Sequence, residues 1–169
     1  NVMKYITPQG VVGNYDVGFG TLSTQKILVS NQNTNQKWVL VSRDDQGSSC
    51  LFVFDDGGTL TTTADDKKRK FAFFVDQDGK VLTPNFTWTM TQDHDGAIWI
   101  GTSSGLIVAN NPENIFALNY HFEQIKIPRN DGTDEADYLL ANENINVIKV
   151  DGINRKWIGT NSSGVFLVS

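Results

Sequence analysis

Short apolar runs alternate with polar turns along the chain, and no heptad spacing appears. Leu51-Phe52-Val53-Phe54, Leu106-Ile107-Val108 and Val165-Phe166-Leu167-Val168 each follow a glycine (Gly47, Gly105 and Gly164) and read as buried strands. Phe122 to Ile127 alternates apolar and polar residues, the pattern of a strand with one wet face. Phe71-Ala72-Phe73-Phe74-Val75 is a further strand candidate. Asp55-Asp56-Gly57-Gly58 and Asp78-Gly79 have the chemistry of hairpin turns. The polar stretches 109–121 and 129–144 have room for short helical turns.

Three tryptophans set a longer period. Trp38, Trp99 and Trp157 recur at intervals of roughly 60 residues. Upstream of them Gln32, Asp93 and Asp151 share one position, and Asn35, Gly96 and Asn154 another. Gly and Asn tolerate a left-handed backbone, so the second position predicts a turn with positive φ. Val29, Met90 and Ile148 share an apolar position before the turn, and Val39, Ile100 and Ile158 a β-branched one after the tryptophan. The unit is strand, polar turn, tryptophan strand, glycine turn, apolar strand. Phe71–Val75 and Phe122–Ile127 supply a fourth strand to the first two units, and the third ends before one.

A twisted antiparallel sheet with two apolar faces cannot cover both alone, and radial stacking covers them. The pattern therefore predicts an all-β chain, a β-propeller fragment of about three four-stranded antiparallel blades with the last incomplete. Residues 1–24 are a lead-in or the tail of a preceding blade, with Val11-Val12 and Gly18-Phe19-Gly20 as its signals. Blades follow at 25–76, 86–128 and, in part, 145–169. The tryptophans are expected to wedge between sheets, with Gly-Thr letting strands pass closely. Bare faces, and a free edge at Val165–Val168 that Val11-Val12 could complete, predict self-association.

Composition narrows the function. A formal net charge of −5 argues against a general nucleic-acid binder. The run Lys67-Lys68-Arg69-Lys70 reads as a solvated strand entry. Cys50 is the only cysteine, so no disulfide closes within the chain. No stretch reaches the length of a membrane helix, so membrane contact by this segment is not expected. The chain begins at Asn1, as an excised or processed segment would.

Chemistry-bearing residues are present but do not converge in sequence. Asp93-x-Asp95-Gly96 could open a calcium loop, but Ala97 to Gly101 supply no further ligand side chains; Asp76-Gln77-Asp78-Gly79 reads the same way. His94 and His121 have no partner at metal-ligand spacing; His94 is expected solvated in a turn and His121 partly buried beside aromatics. Asp44-Asp45, Asp55-Asp56, Asp65-Asp66 and Asp134-Glu135-x-Asp137 are sequence-adjacent acids, which rarely face each other as a glycosidase pair must. Ser103-Ser104-Gly105 and Ser162-Ser163-Gly164 are turns, not nucleophile elbows. Trp88 lies outside the tryptophan register and reads either as core or as a platform for a sugar ring. No catalytic, cofactor-binding or metal-binding residue is assigned, no cofactor is expected, and ligand-binding residues are not identified.

Asp93-His94-Asp95-Gly96-Ala97-Ile98-Trp99-Ile100-Gly101-Thr102, followed by Gly105-Leu106, resembles the two-component-regulator propeller repeat. Asp151 to Thr160, followed by Gly164-Val165, is a second match, with Asn154 where the family usually has Gly. The copy around Trp38 is degenerate, with Leu40-Val41 in place of Gly-Thr. The resemblance implies a non-catalytic sensory propeller of a periplasmic two-component regulator, responding to an oligosaccharide or polysaccharide. The alternative it implies is a surface propeller scaffold associated with type IX secretion; a propeller-type glycosidase or lyase is a distant alternative by fold analogy alone. Location in the periplasm or at the outer-membrane surface of a Gram-negative bacterium follows from the same resemblance.

Overall fold

The computed structural model describes residues 3–15, 23–43, 48–59, 62–129, 131–132 and 136–169. Gly18-Phe19-Gly20, Asp44-Asp45, Gly47, Asp134 and Glu135 lie outside the described residues. A hairpin of β1 (Met3–Ile6) and β2 (Val12–Tyr15) opens the chain. The first large sheet has β3 (Ser23–Val29), β4 (Gln36–Arg43), β5 (Cys50–Asp55) and β6 (Lys67–Phe71) in that order. A small hairpin, β7 (Phe74–Val75) and β8 (Val81–Leu82), leads into the second sheet of β9 (Thr87–Gln92), β10 (Ile98–Thr102) and β11 (Gly105–Ala109). Among the described residues a single 3-10 turn spans Pro112–Asn114. Another small hairpin, β12 (Lys126–Pro128) and β13 (Ala136–Tyr138), precedes the third sheet of β14 (Ile145–Val150), β15 (Lys156–Thr160) and β16 (Val165–Val168). The named strands of the described residues pair antiparallel, and the architecture is that of consecutive propeller sheets.

Period-two alternation explains how the sheets stack. Trp38, Leu40, Leu51 and Val53 of the first sheet form one core with Met90, Ile98, Ile100 and Ile107 of the second. The next residue along β10 points the other way: Trp99, with Leu106 and Val108, packs against Ile145, Ile148 and Ile158 of the third sheet. Each of these tryptophans thus faces the sheet that follows. Burying one indole in this way stabilises by about 4 kcal/mol on area alone. Trp157 holds the same place in the third sheet, opposite Leu167, and is 42% exposed, against 7% for Trp99. The other face of the first sheet, with Val41, Cys50, Phe52 and Phe54, is packed by Tyr5 of β1. Lys37 and Lys70 lie over the Phe54 and Phe52 rings.

The strand register corrects the alignment of the first unit. Trp38, Trp99 and Trp157 pair with Leu28, Thr91 and Lys149, so the tryptophans are equivalent. The turn before Trp38 is longer, closed by Ser30 N–H on Gln36 C=O, where the others close from Asp93 to Ala97 and from Asp151 to Arg155. Ser30, not Gln32, therefore corresponds to the two aspartates, and Ile27, not Val29, to Met90 and Ile148. Gly96 and Asn154 have φ of 95° and 67° as expected, but Asn35 does not have positive φ, because the longer turn reverses the chain without it.

The outer strands also differ from expectation. The basic run is strand β6 itself, not its entry, and the chain bends after Phe71 so that Phe74–Val75 pairs with β8 instead. An outermost strand has solvent on its free edge, and lysines there discourage pairing with other chains. The Phe122–Ile127 strand is split: Glu123 bridges Val108, while Lys126–Pro128 turns away to pair with β13. Val12 is already paired, with Ile6.

Close approach of the second and third sheets rests on Gly101. A Cβ there would lie 2.6 Å from Ile145 Cγ2 and 2.9 Å from the Ile145 carbonyl oxygen. Gly101→Ala is expected to lower stability by about 2 kcal/mol through overpacking, read as a drop in the urea midpoint without a change in slope.

Candidate functional site

Two polar constructions recur in the described residues: the aspartate turns between sheets, and a cleft between the two small hairpins. In the first, Asp93 Oδ1 accepts from the N–H groups of Asp95 (3.1 Å) and Ala97 (2.9 Å), closing the turn. Its Oδ2 accepts from Trp99 Nε1 at 2.9 Å and pairs with Lys156 Nζ of the third sheet at 3.1 Å. Lys156 Nζ also lies 5.0 Å from the centre of the Trp99 ring. Burial pushes the Asp93 carboxyl up, but the Trp99 hydrogen bond and Lys156 outweigh it and hold the group below the usual aspartate value. The third sheet repeats the turn: Asp151 Oδ1 accepts from Ile153 and Arg155 N–H, and Oδ2 from Trp157 Nε1 at 2.9 Å. Here the cation is local, Arg155 Nε at 2.7 Å. The Trp157 hydrogen bond, chiefly, and Arg155 hold Asp151 well below the usual carboxylate range. In the first sheet Ser30 closes the turn through its hydroxyl, and Trp38 Nε1 donates instead to Gln36 Oε1 at 2.8 Å.

These turns form a ladder across the sheets. Gln32 Nε2 donates to Asp95 C=O at 3.2 Å, and Asn31 N–H to Gln92 Oε1 at 2.7 Å. Asn154 accepts from His94 N–H and donates to Asp95 Oδ2. The Asp93-x-Asp95-Gly96 phrase thus builds an inter-sheet joint.

The second construction lies where the chain crosses between sheets. Asp76 Oδ1 accepts from Asp78 N–H (3.0 Å) and Lys80 N–H (2.8 Å), the same turn as Asp93 and Asp151. Leu82 stands where those turns have tryptophan, and the fully buried Asp76 Oδ2 has no partner. Asp78 of this turn pairs with Lys126 Nζ at 2.8 Å and accepts from Tyr138 Oη at 2.9 Å, tying the two hairpins together. Lys126, first, and Tyr138 keep Asp78 below the usual aspartate value. Gln77 clasps the Gln124 backbone at both N–H and C=O, each at 2.9 Å. Between the hairpins opens a cleft of about 390 Å³, lined among others by Lys80, Leu82, Ser104, Gln124, Tyr138 and Asn142. The Gln124 side chain is buried, and its Oε1 has no hydrogen-bond partner.

The remaining candidates take structural places. Asp55 accepts from Asn33 Nδ2 and Gly57 N–H, Asp56 pairs with Lys37, and Asp66 pairs with Lys68. Asp137 pairs with Arg129 at 2.7 Å. His94 is exposed in its turn; His121 is exposed as well, not partly buried, because the adjacent Tyr120 and Phe122 rings pack on each other. Cys50 is buried. Trp88 is half-buried and stacked on Phe86, with ring centres 4.9 Å apart. Among the described residues no His, Cys, Asp or Glu group could hold a metal ion. The cleft was missed in sequence because its walls come from distant segments. Its one local signal was the Asp76-x-Asp78-Gly79 echo of the repeat, with Leu82 in the tryptophan place.

Antiparallel sheets joined by aspartate–tryptophan turns define a propeller segment, and the model of the family described as two component regulator propeller matches residues 81–104. That span runs from β8 to the turn after β10. The solved structure of PorZ, described as an essential bacterial surface component of the type-IX secretion system of Porphyromonas gingivalis, matches 97% of this chain with a TM-score of 0.83. Sequence identity is 22%, a likeness of fold, and the match covers 22% of the PorZ chain. No curated protein matches the chain.

Removing Lys156 strands a buried carboxylate. Lys156→Met is expected to lower stability by about 3 kcal/mol in urea titration. Both aspartates are depressed in the folded state, so their contribution is complete above the unfolded aspartate value, near pH 4, and is lost as pH falls below it. The thermal midpoint is expected to be flat near neutrality and to fall below about pH 4. Asp93→Asn should lower the neutral midpoint while making the acid limb shallower.

Proposed function

We propose that this chain is part of an extracytoplasmic β-propeller that acts as a non-catalytic interaction scaffold in type IX secretion. The observation that carries the reading is the extent of the likeness to PorZ, 97% of the chain and not the repeat alone. Support for a non-catalytic role comes from Asp55, Asp56, Asp66 and Asp137, the acids of the sequence-adjacent groups, which serve turns and ion pairs. The same proposal seats a further sheet of the parent protein on the exposed Trp157 face, by analogy with the covered Trp99. A second reading, the oligosaccharide-responsive sensor of a periplasmic two-component regulator, is favoured by the description of the repeat at residues 81–104.

Deleting the gene of the parent protein in its own organism separates the two. The scaffold reading expects type IX cargo to disappear from the medium while transcription in response to oligosaccharides is unchanged. Intact secretion with a lost transcriptional response would replace the scaffold with the sensor. Intact behaviour in both assays would overturn both.

A further inference from the structure

The cleft between the hairpins has the features of a binding site. Its volume, about 390 Å³, falls within the range of small-ligand pockets. Its lining includes Val81 and Leu82 of β8, which among the described residues pairs only with β7, and Tyr138 of β13, which pairs only with β12. Each strand therefore has a second edge without a strand partner. Gln124, which lines the cleft and is 7% exposed, holds an amide oxygen with no hydrogen-bond donor. A buried acceptor left unpaired costs roughly 1–3 kcal/mol, so a ligand that brings a donor recovers that energy. Lys80 supplies a cation: its ammonium lies 5.5 Å from the centre of the Tyr138 ring, and no ion pair is formed by it among the described residues. Leu82 in the tryptophan place leaves the cleft less filled than an indole would.

We propose that this cleft binds the carboxyl-terminal end of an extended peptide. A peptide N–H satisfies Gln124 Oε1, the terminal carboxylate meets Lys80, and an aliphatic side chain lies against Leu82. Extended peptides commonly dock by adding to a free strand edge while pockets select alternate side chains. Sugar rings stack on an open aromatic face, and here Lys80 occupies a face of Tyr138. The inference holds under either reading of the parent protein.

The test is calorimetric titration of this chain with N-acetyl-Ala-Leu-Ala, with its C-terminal amide, and with glucuronate, each up to about 10 mM. The free acid is expected to bind at least about tenfold more tightly than the amide. Lys80→Met should abolish that preference. Gln124→Met should weaken acid and amide alike by about tenfold without lowering the thermal midpoint, since it removes an unpaired buried oxygen. No binding of either peptide, equal binding of acid and amide, indifference to both substitutions, or binding of glucuronate alone would each overturn the proposal.

Discussion

A sheet with apolar residues on both faces depends on its neighbours for burial, and here the dependence is concentrated in the tryptophan of each second strand. Trp38 and Trp99 are buried only because another sheet follows them. The indole nitrogen must also be satisfied once it leaves water. Asp93 and Asp151 meet that need with one carboxylate oxygen and close the preceding turn with the other. Turn geometry, indole orientation and sheet spacing are therefore set by the same side chain. Gly101 completes the arrangement by letting Ile145 of the third sheet approach the backbone.

The variations show which parts of this arrangement can be exchanged. The first sheet uses Ser30 for the turn and Gln36 for the indole, dividing between two residues what Asp93 does alone. Gln36 Nε2 then donates to Pro112 C=O, so even this version reaches across to the second unit. At Asp76 the turn is retained and the tryptophan is not, and the result is a small hairpin beside an open cleft.

The repeat was legible because its signals are local: aspartate, glycine or asparagine, and tryptophan lie within a few residues of one another. Counting back from Trp38 misplaced Gln32 because turn length varies while strand pairing does not. Gln32 does have a role, reaching the backbone of the next turn at Asp95, but no sequence pattern announces that contact. The outer strands were misread because the basic residues of β6 carry no apolar alternation, and because Phe122 to Ile127 alternates across a point where the chain changes partners. The clamp of Asp78, Lys126 and Tyr138 joins residues far apart in the chain, and only Asp78 stands in a recognisable turn motif.

The different sources of positive charge at the two aspartate turns give the units a grammar of order. Asp93 borrows its cation from the unit that follows, through Lys156, whereas Asp151 carries its own in Arg155. The second unit can thus be followed without loss only by a unit bearing a basic residue at the start of its tryptophan strand. The third places no such demand on its successor. A duplication or exchange of units within such a chain is therefore directional: a unit like the third tolerates many neighbours after it, and a unit like the second selects them.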